Sequence, residues 1–476
     1  MKPVNFTHWM VAVAALAALA GCDDPCYSPL VVDSPQVSIS DVVATHNKVT
    51  LKITPKNAVS VSYALLDDED VVPTPEDFTT LETITATTVS ISHLERNHTY
   101  RVWAYSSSGV YDGETSATVS YAFTTQDPVD LSASGTANCY VVPAIGCYMF
   151  DCSVKGGGNE PVGAVARVEV LWSDSSDLLS DFVFDDDNPD KAVFVTKAAT
   201  GNAVVVARDT EDNILWSWHI WCCNGIPATE TYTNADGVPH EMMDRNLGAS
   251  SATATTCMLY QWGRKDPFPN FNGIYTPGNS ITGKPMEELF EPVVFDETGD
   301  LEAHNLNFVV TNPATFIKSK TNADITDAWF GTFDDQTAAL WGDADGANNE
   351  YRTQPGWSGE KSLYDPCPVG YRVPNMYAYS GFSLAKAIGS WDGGWFFQRS
   401  DDDTLGAWHP VTGWRLTHTG AVNATSPESG RIVQWYSCPN SSADRMLRLF
   451  SHATTCNTAQ QVFTSMAAAV RCEKIK

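Results

Sequence analysis

What the chain is short of narrows the field first. Of its 476 residues only 29 are Lys or Arg, against 57 Asp or Glu, so the formal net charge is −28. Such a field repels polyphosphates, which excludes nucleic acid as a partner. No CxxC pair occurs among the 12 cysteines, so zinc-ribbon and thioredoxin-like spacings are missing. The apolar run "WMVAVAALAALA" (residues 9–20) is too short to cross ~30 Å of hydrocarbon. There is no G-x-S-x-G elbow to present a serine nucleophile. "GNSITGKP" (278–285) approaches a phosphate-binding loop, but Pro285 stands where a hydroxyl would hold magnesium. "HEMMD" (240–244) begins like a zinc-protease helix, yet Asp244 replaces the second histidine. The chain is read as a non-enzyme.

What is present begins with a targeting signal over residues 1–21, with Lys2 ahead of the apolar run. It ends in Leu19-Ala20-Gly21-Cys22, which resembles the lipobox of bacterial lipoproteins. That resemblance implies cleavage before Cys22, lipidation of its thiol, and a tether over residues 22–32; two or more acyl chains anchor stably. The alternative is an ordinary secretory signal with a chance cysteine. Asp23 and Asp24 resemble the acidic export tags of Bacteroidetes-type lipoproteins, and that resemblance implies the outer membrane, facing the exterior; the alternative is inner-membrane retention, which an Asp after the lipidated Cys signals in other Gram-negative bacteria. Export makes disulfides expected, and lipidating Cys22 leaves an odd number of cysteines, so at least one stays unpaired.

Residues 33–126 read as a β-sandwich. "KVTLKIT" alternates Val49, Leu51 and Ile53 with polar residues, the period of a half-buried strand. Leu94, six residues before Tyr100, has the spacing of a tyrosine corner. With "AFTT" at 122–125 this resembles a fibronectin type III domain, which implies a spacer. Residues 130–223 read as a second β-sandwich, in which "NAVVVAR" and "ILWSWHIW" pair across the five-residue turn "DTEDN". Ile214, Trp216, Trp218 and Ile220 share one face; His219, on the other, is expected to be a satisfied surface or interface side chain rather than a ligand. From residue 225 the texture changes to aromatics scattered among Gly, Asp and Asn, which suggests a loop-rich α+β module. A helix is expected from Asn375 as cap, through Leu384, Ala385 and Ile388, to Gly389.

In order along the last 250 residues stand "MMDRNLGA", "YQWGRKDPF", "LWGD", "YDPCPVGYRVP", "VTGWR", "QWYSCP" and "AVRCEK". The series resembles the Fibrobacter succinogenes major paralogous domain of bacterial surface lipoproteins, and the stretch "GTANCYVV" to "ILWSWHIW" resembles the β-domain that precedes it in fimbrillin-like proteins. The resemblance implies a C-type lectin-like fold over 225–476, in which the first and last strands meet. It also implies a disulfide between Cys367 and Cys472 that ties the start of the helical part to the final strand. Cys438 and Cys456 are a candidate second pair. The pairing of Cys139, Cys147, Cys152, Cys222 and Cys223 stays open.

Candidate ligand-binding residues are Trp391, Trp395 and Phe396 in "SWDGGWFFQ", with Trp408 downstream. Aromatic rings cover the apolar face of a pyranose, and the Gly pair lets a ligand approach. Calcium is the one cofactor the sequence admits: Asp343, Asp345 and Asn348 in "GDADGANNE" offer hard oxygens, and "FDDDNPD" (184–190) is a second such stretch. An Asx-rich turn has the same composition. The Glu-Pro-Asn and Trp-Asn-Asp motifs of calcium-dependent lectins are missing. The reading is therefore a multidomain surface lipoprotein: two β spacers present a C-terminal lectin-like module that binds a glycan or a host or neighbour-cell protein, as an adhesin or fimbria tip subunit. The alternatives are a structural pilus or envelope subunit, and an enzyme on the related formylglycine-generating fold, whose paired cysteines find no match here.

Overall fold

Alternating apolar residues and frequent turn signals are converted almost wholly into β-sheet. The computed structural model describes the chain from residue 33, apart from residues 68–70, 109–113, 181, 272–273, 277–278, 282–292, 295–305, 319–328, 330–339, 342–360, 401–403, 424 and 440–445. Among the described residues there is one α-helix, Leu306–Thr311; the rest of the regular structure is strand and short 3₁₀ turn. The molecule is multidomain and β-rich, and its contacts divide it into two units.

The first unit holds most of residues 33–123. Gln36–Ala44, Lys48–Lys56 and Thr87–Ser92 form one sheet, and Thr79–Leu81, Ser60–Leu66, Thr99–Ser107 and Val119–Thr124 form the other. Val49, Leu51 and Ile53 point inward as their alternation requires, and Tyr100 is buried, stacked on Phe123 with ring centroids 5.8 Å apart.

The second unit runs from Thr124 to Lys476 and adds residues 44–49 and 91–98. Its first part is a sandwich in which Cys147–Asp151 and Lys191–Val195 face the sheet of Arg167–Ser173, Thr200–Arg208, Ile214–Cys223 and Cys139–Val142. The hairpin turns at residues 209–213, as read from "DTEDN". Trp216, Trp218, Ile220 and Cys222 fill the sandwich interior with Phe150 and Phe194. The opposite side of the same strand is also buried. Trp221 and Cys223 pack with Cys139, Leu247, Met258, Tyr260 and Trp435, so the 130–223 and 225–476 regions share one core.

The C-terminal region adds a four-stranded sheet, Thr229–Thr233, Pro239–Met243, Glu473–Lys474 and Tyr371–Arg372. An eight-stranded sheet is centred on Ala467–Ala469 and Ile432–Pro439, with the hairpin Met446–His452 and Thr455–Val462 at its edge. A small sheet of Ala387–Ile388, Gly394–Gln398 and Gly406–Pro410 is hydrogen-bonded to neither, and packs Trp395, Phe397 and Ala407 into one core with Tyr232, Met242, Ile432 and Tyr436 of the other two. Two of the buried tryptophans satisfy their indole N–H groups on backbone carbonyls, Trp262 on Tyr436 at 2.9 Å and Trp435 on Tyr260 at 2.7 Å.

Cys367 and Cys472 are bonded, with Cα atoms 5.9 Å apart and a sequence separation of 105. Asp365 arranges the loop ahead of this bond. Its carboxylate accepts from the Cys367 N–H, the Val373 N–H and Lys361 Nζ, each at 2.8 Å. The expected second pair is not formed: Cys456 is a free, half-buried thiol, and the Cys438 side chain lies outside the described residues. The expected helix after Asn375 is replaced by two 3₁₀ turns, Met376–Tyr379 and Leu384–Lys386. Asn375 does cap the first, accepting from the Tyr377 N–H at 2.7 Å. Between the turns Gly381 lies so close to the Thr233 carbonyl that an added Cβ would be 2.4 Å from it, so the chain there follows packing rather than helical periodicity.

Candidate functional site

The small sheet sorts the predicted aromatic set by strand alternation. In Gly394–Gln398, Trp395 and Phe397 face inward while Phe396 and Gln398 are exposed. Trp395 is buried and donates its indole N–H to the His452 carbonyl at 2.9 Å. Trp391 is half-buried at the flank, edge-on to Trp395 at 5.8 Å and donating to the Pro427 carbonyl at 2.9 Å. The four residues therefore do not form one platform. Phe396 and Trp408 do come together, directly opposite each other on neighbouring strands, with centroids 4.5 Å apart.

Two glycines make room for this pair. A Cβ on Gly394 would stand 2.6 Å from the Trp408 ring and 2.5 Å from the His409 carbonyl, and one on Gly406 would stand 2.5 Å from the Phe396 Cβ. Each ring thus lies over a glycine on the neighbouring strand, a recognised use of glycine in sheets. Ile388 faces Phe396 from the third strand, so Ile388, Phe396 and Trp408 form a cross-strand row on the outward face. Beside it opens a cleft of about 270 Å³ whose lining includes Lys386, Gln398, Arg399, Ser400 and Thr233. The stacked rings of Phe382 and Phe397, 4.2 Å apart, also border it.

A buried polar network fixes the strands from beneath. The fully buried Arg471 donates through Nη1 to the Tyr232 hydroxyl at 2.8 Å and His409 Nε2 at 2.9 Å, and through Nη2 to the carbonyls of Asp244 and Trp408. Arginine only donates, so His409 Nε2 accepts here and Nδ1–H donates to Gln434 Oε1 at 3.0 Å. Burial, then the neighbouring Arg471, hold the His409 pKa well below its ordinary value. Burial likewise pushes the Glu230 carboxyl up, opposed by Arg471 3.9 Å away. This network positions backbone; none of it opens to a ligand.

His219 lies inside the shared core, on the side where the sequence allowed surface or interface. Its Nε2–H donates to Asn202 Oδ1 at 2.9 Å, and Nδ1 faces the Tyr260 hydroxyl at 3.1 Å and Cys139 Sγ at 3.5 Å. Burial lowers its pKa to about 3 and raises that of the Cys139 thiol. Thiol and imidazole are both held neutral, the reverse of an activated thiolate pair.

Asp185, in the second acidic stretch, is committed elsewhere: it accepts from the Arg96 guanidinium and from the Asp187 N–H at 2.8 Å. Asp343, Asp345, Asn348 and the lipidation candidate Cys22 lie outside the described residues. Among the described residues no group of three or more potential metal ligands gathers. In "HEMMD", His240 bonds Glu473 of the last strand at 2.6 Å and Asp244 pairs with its neighbour Arg245 at 2.7 Å, so both side chains are committed to protein partners.

No family model and no curated protein matches the chain. Among solved structures it is similar to a computationally redesigned β-sandwich protein, at 23% identity over 20% of this chain and 95% of that one, with a TM-score of 0.15. It is also similar to fibronectin(III)-like modules of Clostridium thermocellum CbhA, at 14% identity over 39% of this chain and 93% of that one, with a TM-score of 0.15.

Proposed function

We propose that this is a lipid-anchored cell-surface adhesin, tethered through Cys22 on the outer membrane and facing outward, whose C-terminal lectin-like region binds a glycan. The motif series from "MMDRNLGA" to "AVRCEK" supports the family reading, and the lipobox-like Leu19–Cys22 supports the anchor. The observation that carries the binding function is the Phe396–Trp408 pair. Phe396 is 42% exposed although large apolar side chains are normally covered, and two glycines are spent on seating the rings. The test is a glycan array probed with the full mature chain, with calcium and with chelator. Binding that is lost in Trp408→Ala supports the reading. Binding that survives this change, or a folded protein that binds no glycan, refutes it.

A second reading, a structural envelope subunit, is favoured by the edge strand Thr455–Val462, "TCNTAQQV". It carries neither charge nor proline, the usual protections of an exposed edge. Concentration-dependent assembly of the full chain in the absence of glycan would favour this reading.

A further inference from the structure

The outward face of the small sheet and the cleft beside it are contiguous, because Gln398 belongs to both. It lies two residues along from Phe396 on the same exposed face, opposite Gly406, and it also lines the cleft. Resting on the glycan-binding reading, we infer that the face takes an oligosaccharide of at least two pyranose units, one stacked on the Phe396–Trp408 pair and the next held in the cleft by Lys386, Gln398 and Ser400.

Three observations lead there. Gln398 stands two residues beyond Phe396 along the strand, roughly 7 Å at the usual rise per residue, so the cleft it lines begins about one pyranose ring away from the Phe396–Trp408 pair. The two parts also differ: the row Ile388, Phe396 and Trp408 is apolar, while the cleft offers the Gln398 amide, the Lys386 ammonium and the Ser400 oxygen, which donates its hydrogen to the Thr231 carbonyl at 2.9 Å and is left to accept from a ligand hydroxyl. Finally, the Lys386 ammonium has no carboxylate partner among the described residues, and its side chain is exposed at the cleft mouth. A ligand can therefore reach it without breaking an ion pair. Arg399 is held further in, 3.9 Å from Glu230, and shapes the inner wall. A pyranose chain can be neutral or can carry a carboxylate toward Lys386, and the probes separate the two.

The experiment is calorimetric titration of the full mature chain with two length ladders: methyl glucoside, cellobiose and cellotriose, and galacturonate with its dimer and trimer. Affinity should rise about tenfold from the one-ring to the two-ring probe in at least one series. Lys386→Ala and Gln398→Ala should each remove most of that increment while leaving one-ring binding in place. Trp408→Ala should remove binding of every length. A rise confined to the acid series would assign Lys386 to a carboxylate; a rise in both would assign it to hydroxyls. Equal affinity for one and two rings, no binding in either series, or an increment indifferent to Lys386 and Gln398 would overturn the two-subsite inference. In that case Trp408-dependent binding on the array would leave the broader adhesin reading standing, and its absence would remove both.

Discussion

The Cys367–Cys472 bond permits a prediction with a worked magnitude. It closes a loop of 105 residues, and fixing that loop in the unfolded chain is worth about 5 kcal/mol at 25 °C in the chain-entropy model. Both sulfurs are fully buried, so replacing the pair by serine would add the separate cost of burying two hydroxyls. The cleaner perturbation is Cys367→Ala with Cys472→Ala. Urea unfolding of the full chain, followed by tryptophan fluorescence, should show the second unit losing about 4–5 kcal/mol, while the first unit's transition stays where it was. Native wild-type protein should also resist reduction, since a reductant reaches these sulfurs only after opening. The native loop is held independently by Asp365, whose carboxylate still binds the Cys367 and Val373 amides and Lys361. The double variant should therefore retain its folded spectrum at low urea. A loss below about 1 kcal/mol would refute the reasoning, and would mean that the unfolded loop is already restricted, by residual structure or by its prolines.

Three further outcomes are expected. Gly394→Ala sets a Cβ 2.5 Å from the His409 carbonyl and 2.6 Å from the Trp408 ring; it should cost about 1–3 kcal/mol as overpacking does and shift Trp408 fluorescence, and an unchanged melting curve would contradict the packing described. His219, with its pKa lowered to about 3, takes up a proton in the unfolded chain at higher pH than in the folded one, so stability falls as pH drops below about 6.5, by up to ~1.4 kcal/mol per pH unit. His409, held well below its ordinary value in the same way, adds to that slope, so urea midpoints between pH 7.5 and 4.5 should show it and His219→Gln should reduce it without abolishing it; identical slopes would assign acid sensitivity elsewhere. Residues 225–476 expressed alone should be poorly folded and bind a hydrophobic dye, whereas 124–476 should unfold in one cooperative step; a well-folded 225–476 fragment would show that the shared core is dispensable.

How far the fold could be read beforehand depended on how local its causes were. Strand alternation in "KVTLKIT" and the turn "DTEDN" are written in adjacent residues, and both appear where expected. Ile214–Cys223 also showed its alternation, but not that both faces would be covered, because Leu247, Met258 and Tyr260 arrive from later in the chain. His219 was left between surface and interface for the same reason, since Asn202 and Tyr260 are its partners only in three dimensions. The Asn375 cap signal was genuine and the helix behind it was not: periodic apolar residues met a close approach at Gly381 that no local pattern announces. In the aromatic run, composition singled out residues that the fold places in and beside the small sheet. Sorting Trp395 inward and Phe396 outward needed the strand phase, and seeing why Gly394 and Gly406 matter needed the register between strands.

The strand that is covered on both sides also bears on how such a chain can change by recombination. A break near residue 224 would strip Trp221 and Cys223 of one cover and Leu247 and Met258 of the other. Either piece, joined to a stranger, would carry a raw apolar surface into its new setting. The two regions can therefore be exchanged between genes only as a pair, and the segment that travels is the whole stretch from residue 124 onward.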